Sequence, residues 1–294
     1  LKDQAERLRE KVRRSQGAAV ARTIAVTSGK GGVGKSNVAL NLALSLMERG
    51  KRTLLFDLDL GFANLDVLLG YTPRLTLIDM VEKGLSLDDV IERGPYGLEL
   101  ISGGSGLGSL FHLDQGQIND MLDKLDTLSK RLDYIILDTG AGLSAESLRL
   151  MLAVDDIWLV TTPEPTSMTD AYGVIKALCK YNGEINLHVI VNRCYTPVEG
   201  VRTARRLQTV AKQFLNKEIR YLGYLPNDPS VHQAVLSQTP FIKLFPACQA
   251  AQAIAVLTAR YLNQPLQDNA RREGRGLRSF FKQLIAPFLQ KGTG

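Results

Sequence analysis

Short apolar bursts recur along the chain at 23–27, 53–57, 98–101, 134–138, 157–161, 187–191 and 221–225. They are rich in Val, Ile and Leu and do not alternate with polar residues, the pattern expected of strands covered on both faces. Between them lie stretches with helical spacing of apolar positions, at 36–48, 114–129, 167–181, 200–215 and 247–261. Strand-like and helix-like runs in alternation predict an α/β fold: a doubly wound, mostly parallel sheet flanked by helices. The body of this fold is expected over 23–264. A basic helical segment (1–22) precedes it, and a linker (265–276) and an amphipathic helix (277–294) follow.

Composition sharpens this picture mainly by exclusion. The chain has 294 residues, 45% hydrophobic and 22% charged, enough to bury a sizeable core. No run approaches the ~18 consecutive apolar residues of a membrane-spanning helix. The three cysteines, Cys179, Cys194 and Cys248, are odd in number and far apart. They exclude a disulfide framework and a Cys-only metal site, and they fit a reducing cytosol. The net charge of +6 suggests nucleic acid until it is divided along the chain. Residues 1–22 carry +4 and residues 265–294 carry +4, which leaves −2 on everything between. Basic arms on a near-neutral body are expected to meet an anionic surface or a protein partner, and no specific nucleic acid is expected.

Candidate chemistry is concentrated after the first strand, where the chain reads Ser28-Gly29-Lys30-Gly31-Gly32-Val33-Gly34-Lys35-Ser36-Asn37. Gly29, four residues, then Gly34-Lys35-Ser36 is Walker A spacing between a strand and a helix. Such a loop turns backbone N–H groups around phosphate oxygens, and the helix start adds its positive dipole end. Lys35 would reach the β- and γ-phosphates, and the Ser36 hydroxyl would ligate Mg²⁺.

The second lysine in the loop, Lys30, makes Lys-Gly-Gly-x-Gly-Lys-Ser resemble the deviant Walker A motif of the MinD/ParA-type ATPases. That resemblance implies an ATP-bound homodimer in which Lys30 touches the partner's phosphates. It also gives roles to two carboxylate motifs. Phe56-Asp57-Leu58-Asp59-Leu60-Gly61 looks like switch I, with Asp59 acting on the attacking water and the metal. Leu137-Asp138-Thr139-Gly140 looks like Walker B and switch II, with Asp138 holding Mg²⁺ through water, although Gly140 stands where relatives often carry proline. By the same resemblance Asn192 and Arg193, and the loop carrying Pro226 and Asp228, would hold the base of ATP or ADP. The Asn192 amide offers the donor and acceptor that the N6/N7 edge of adenine requires. No guanine-reading Asn/Thr-Lys-x-Asp is present.

The two ends point to a branch of that family. Leu1, Ala5, Leu8 and Val12 form one narrow helical stripe, too short to be stable without a partner. Within it, Asp3-Gln4-Ala5-x-x-Leu8-Arg9 resembles the opening of the flagellar FlhG (FleN/YlxH) branch. The resemblance implies stimulation of an SRP-like GTPase, FlhF, and flagellar basal-body proteins as further partners. At the other end Leu277, Phe280, Phe281, Leu284, Ile285 and Phe288 share one helical face, with Lys282 and Arg278 opposite and Pro287 as a kink. Phenylalanine opposite lysine and arginine describes an interfacial helix in anionic lipid headgroups. The expected location is cytoplasmic, peripheral to the inner face of the cell membrane in the ATP state. A division-site MinD, a DNA-partition ParA, an iron–sulfur reductase of the same fold and a non-catalytic scaffold remain alternatives. The isolated cysteines count against the reductase.

Overall fold

The computed structural model describes residues 21–58, 64–103, 124, 128–181 and 185–263. Asp59, both terminal arms and most of the helix expected over 114–129 lie outside the described residues. The strands are β1 (Arg22–Thr27), β2 (Thr53–Leu58), β3 (Glu92–Arg93), β4 (Glu99–Ser102), β5 (Tyr134–Thr139), β6 (Asp156–Thr161), β7 (Asn186–Cys194) and β8 (Arg220–Pro226). They form one sheet in the order β3-β4-β2-β5-β1-β6-β7-β8, parallel except for the edge pair β3–β4. The described helices are α1 (Lys35–Glu48), α2 (Asn64–Leu69), α3 (Leu77–Glu82), α4 (Leu87–Val90), α5 (Ala145–Ala153), α6 (Pro165–Tyr181), α7 (Pro197–Leu215), α8 (Pro229–Leu236), α9 (Phe241–Leu244) and α10 (Gln249–Leu262).

The unbroken apolar strands are explained by two cores, one on each face. Ile24 and Val26 of β1, with Trp158 and Val160 of β6, pack against α1, α8, α9 and α10. The intervening Ala25, with Ile157 and Leu159, packs against α5, α6 and α7. The period-two pleat is therefore present, but both of its faces are dry. Helix α1 is sandwiched between the sheet and α10, and Val38 through Leu46 are buried all round. Within that buried run Asn41 has a partner on each end of its amide: its Nδ2 donates to the Asn37 carbonyl at 2.8 Å and its Oδ1 accepts from the Ile242 amide at 3.1 Å.

At the end where the parallel strands begin, a buried polar cluster ties the start of β1 to the end of α10. Arg22 donates to both oxygens of fully buried Asp156, through Nε and, at 3.0 Å, through Nη2. The Tyr261 hydroxyl donates to Asp156 Oδ2 at 2.7 Å, and His188 Nε2 stands 3.4 Å from Oδ1. Burial pushes the Asp156 carboxyl up, but the bonds from His188 and Arg22 outweigh it and hold it near 2. Trp158 is completely buried above this cluster, edge-on to Tyr261 with ring centroids 5.1 Å apart.

The opposite end of the sheet is where strands finish and loops are free to diverge. In an open parallel sheet that end is the one that receives ligands.

Candidate functional site

The loop from Ser28 to Gly34 leaves β1 at this carboxyl end and runs straight into α1. Its first shoulder is nested against α6: a Cβ on Gly29 would lie 2.3 Å from the Asp170 carbonyl carbon, so only glycine fits. The Ser28 hydroxyl steadies the turn by donating to the Lys30 carbonyl at 2.9 Å. Val33 is buried, and Gly34, at φ 92°, forms the left-handed N-cap of α1. No side chain caps this helix and no acidic residue lies in its first turn. Its positive dipole end is thus not offset by a capping or acidic side chain, a setting that favours an anion. Gly31 and Gly32 would carry a Cβ into open space, so the mouth of the loop is clear.

Lys35 opens α1 and is buried. Its ammonium donates to Asp138 Oδ1 at 2.7 Å and lies 3.3 Å from the Ser36 hydroxyl. Asp138 is placed by β5, whose register sets it beside Val26 of β1 and Asp57 of β2. The sequence-predicted lysine, serine and aspartate therefore converge on one point. Lys30 sits at the rim, its Nζ 3.3 Å from Glu164 Oε2 and 3.4 Å from the Thr166 hydroxyl. Both side chains of the Lys30–Glu164 pair are about half exposed, so separating them costs little, about 0–1 kcal/mol. A fixed cradle of N–H donors, a buried ammonium and a hydroxyl beside a carboxylate is the donor set that phosphate with Mg²⁺ requires.

Beside the loop lies a cleft of about 790 Å3 whose walls include Gly34, Asn37, Asn192, Arg193, Pro226 and Asp228. The expected base-binding residues are thus brought together next to the phosphate loop. Asn192, near the end of β7, donates from Nδ2 to the Val33 carbonyl at 2.7 Å and accepts the Arg193 amide on Oδ1 at 2.8 Å. Arg193 adopts φ 58° at the register shift between Val191 and Cys194, within the last residues of β7. Asp228 is in the wall, where its carboxylate accepts from the Ser230 amide at 2.9 Å and the Ala250 amide at 3.0 Å. Partial burial works against its charge, but these backbone bonds hold its pKa below the ordinary value. The same carboxylate starts α8 and reaches the start of α10, so the cleft and the two helices share one anchor.

Sequence reasoning missed Glu164, Tyr195, Val231 and His232, which also line this cleft. Asp228-Pro229 carried the available signal for Val231 and His232. An N-cap followed by proline starts a helix, and its first turn must then face the preceding loop. A second cavity of about 390 Å3 lies between β8, α7 and α10, lined by Tyr221, Tyr224 and Leu257 among others, and the phosphate loop forms no part of its lining.

Among the described residues no group of three or more His, Cys, Asp or Glu could hold a metal ion, and no helix is long and apolar enough to cross a membrane. The expected partner-activating residues Asp3, Gln4, Ala5, Leu8 and Arg9, the lipid-facing residues of 277–294, and Asp59 lie outside the described residues.

A family model described as "ParA: NUBPL iron-transfer P-loop NTPase" matches residues 19–261. The chain is similar to the antiactivator FleN of Pseudomonas aeruginosa, 40% identical over 248 residues that cover 84% of this chain and 89% of that protein. It is also similar to the flagellum site-determining protein YlxH of Helicobacter pylori, 36% identical over 89% of each chain. Among solved structures it resembles the septum site-determining protein MinD of Pyrococcus horikoshii complexed with Mg-ADP. That match has a TM-score of 0.67 and 27% identity, and it covers 86% of this chain and all of the other.

Proposed function

The chain belongs to the ParA/MinD family of P-loop NTPases, which hydrolyse ATP, and on that premise we propose that it is a dimerising ATP switch that regulates flagella. The observation that carries the switch is the uncapped, glycine-framed start of α1, with Lys35 resting on Asp138 and Lys30 on a weak surface pair at the rim. Each lysine holds a protein carboxylate that a phosphate oxygen can replace. Ser36 and Asp138 would hold Mg²⁺, which when bound neutralises charge on the phosphate oxygens. Asp59, directly after β2, would orient the attacking water, and Lys30 would leave Glu164 to reach across to a second copy of the chain.

The flagellar role rests on the likeness to FleN and YlxH over most of the chain. The N-terminal segment 1–22 would stimulate the SRP-like GTPase FlhF, and the C-terminal helix 277–294 would bind anionic lipid when two copies are joined. Two weak anchors on one dimer can gain about 10²–10⁴ in avidity. A division-site role is the runner-up, and it has no use for the N-terminal segment.

Size-exclusion chromatography with ADP and with a non-hydrolysable ATP analogue tests the switch. We expect a monomer with ADP and a dimer with the analogue. Lys30→Ala should remove the dimer while ADP still binds, and Asp59→Ala should accumulate it. A Lys30→Ala protein that dimerises and hydrolyses normally would overturn the reading. Removing residues 1–22 separates the flagellar from the division-site role: FlhF stimulation should vanish with basal ATPase activity intact.

A further inference from the structure

The side-chain amide of Asn192 has two N–H donors and two acceptor positions. One donor is used on the Val33 carbonyl and one acceptor on the Arg193 amide, at 2.7 and 2.8 Å. These two bonds fix the plane of the amide and leave one donor and one acceptor for a ligand. The remaining pair is what an adenine edge would take. The bond to Val33, in contrast, has no bearing on the base. It joins β7 to the phosphate loop across 159 residues of sequence.

The loop is shaped to receive that bond. A Cβ on Gly34 would lie 2.4 Å from Asn192 Nδ2, so an alanine there would push the amide away from the loop. Val33 is anchored in the core by its side chain, and the bond from Asn192 to its carbonyl fixes the orientation of the peptide between Val33 and Gly34. In a trans peptide the carbonyl and the following N–H point in opposite directions. Holding the Val33 carbonyl against β7 therefore turns the Gly34 N–H away from β7, at the mouth of the helix that would receive phosphate.

From this geometry we infer that Asn192 is a positioning residue for the phosphate loop as well as a base contact, so that one amide couples base recognition to phosphate binding. The inference rests on the nucleotide-binding reading above. It adds that phosphate binding depends on Asn192 even when no base is present.

A ligand with phosphates and no base isolates the coupling. Binding of Mg²⁺-tripolyphosphate and of Mg²⁺-ATP is measured by calorimetry on the full chain, the wild type beside Asn192→Ala and Asn192→Asp. Asn192→Ala is expected to lose roughly fivefold in tripolyphosphate affinity, the size of one hydrogen bond, and more in ATP affinity. Asn192→Asp places a carboxylate oxygen against the Val33 carbonyl, so its tripolyphosphate loss should be the larger of the two. Thermal unfolding without ligand shows whether each variant is folded, and the Asp variant, which retains the bond from the Arg193 amide, serves if the Ala variant is not. Wild-type tripolyphosphate affinity in either folded variant, with ATP affinity reduced, overturns the inference and leaves Asn192 as a base contact alone. Failure of the wild-type protein to bind ATP would instead overturn the underlying reading.

Discussion

The two ends of the sheet use the same ingredients to opposite effect. At each end a cation meets a buried aspartate: partly buried Arg22 with Asp156 where the strands begin, buried Lys35 with Asp138 where they finish. Asp156 also takes Tyr261 and His188, so protein side chains meet both of its oxygens. The phosphate end lacks that closure, because the helix start beside Lys35 has no capping side chain and opens onto a clear loop mouth. A buried ion pair by itself says little about function. What separates the two pairs is that both oxygens of Asp156 are met by protein side chains, whereas the helix start beside Lys35 has no side-chain cap.

Breaking the closed end should have the larger effect on stability. Asp156→Ala leaves the buried Tyr261 hydroxyl without its acceptor and the partly buried Arg22 guanidinium without its counter-ion, and a loss of about 3 kcal/mol in urea unfolding is expected. The stabilisation gained from nucleotide should survive in that variant, since distant sites act additively. A vanished nucleotide effect would show that the two ends are coupled. At the open end, Lys35→Met should lower ATP turnover by about 10²–10³-fold, as removing a preorganised electrostatic donor does. Turnover near wild type would relocate the phosphate site. Next in size, nucleotide at about 100 times its Kd should stabilise the wild-type protein by about 2.7 kcal/mol. Lys35→Met should forfeit most of that gain in parallel melting curves.

The smallest effect is acid sensitivity. Asp156 is held near 2 in the fold against an ordinary 3.8, so its contribution is complete above the ordinary value and is lost as pH falls from about 4 through 2. Asp155, which burial pushes up, gains protons in the native state and offsets part of this loss. Urea midpoints between pH 5 and 2 should fall less steeply in Asp156→Asn than in wild type.

The sequence made the working end more legible than the closed one. Backbone cradles need glycine at fixed intervals, and Gly29, Gly34 and Lys35 announced theirs. The strands were equally plain, as with β2, expected over 53–57 and found over Thr53–Leu58. Asp156 looked like any acidic residue at a strand start, because its partners Arg22, His188 and Tyr261 come from three distant elements. The short helices α3 and α4 went unseen for the opposite reason. Their evidence is wholly local, capping boxes at Thr76/Asp79 and Ser86/Asp89, and each element has too few residues to show periodicity. Helix α7 starts at Pro197, three residues before its apolar pattern does, because Thr196 caps it and proline suits its first turn.

Trp158 is the sole tryptophan of the chain, and its indole lies within the closed end, edge-on to Tyr261. The protein therefore carries a built-in optical probe with a fixed field of view. Ultraviolet emission excited at the red edge of tyrosine absorption reports the seating of α10 on β6. Trp158 is also level with Val26 of β1 and shares a core with Val33 and α1, so the same emission looks onto the underside of the phosphate loop. A red shift on adding nucleotide would mean that this shared core had loosened. A silent spectrum, with nucleotide bound, would mean that the core stays still while the loop works.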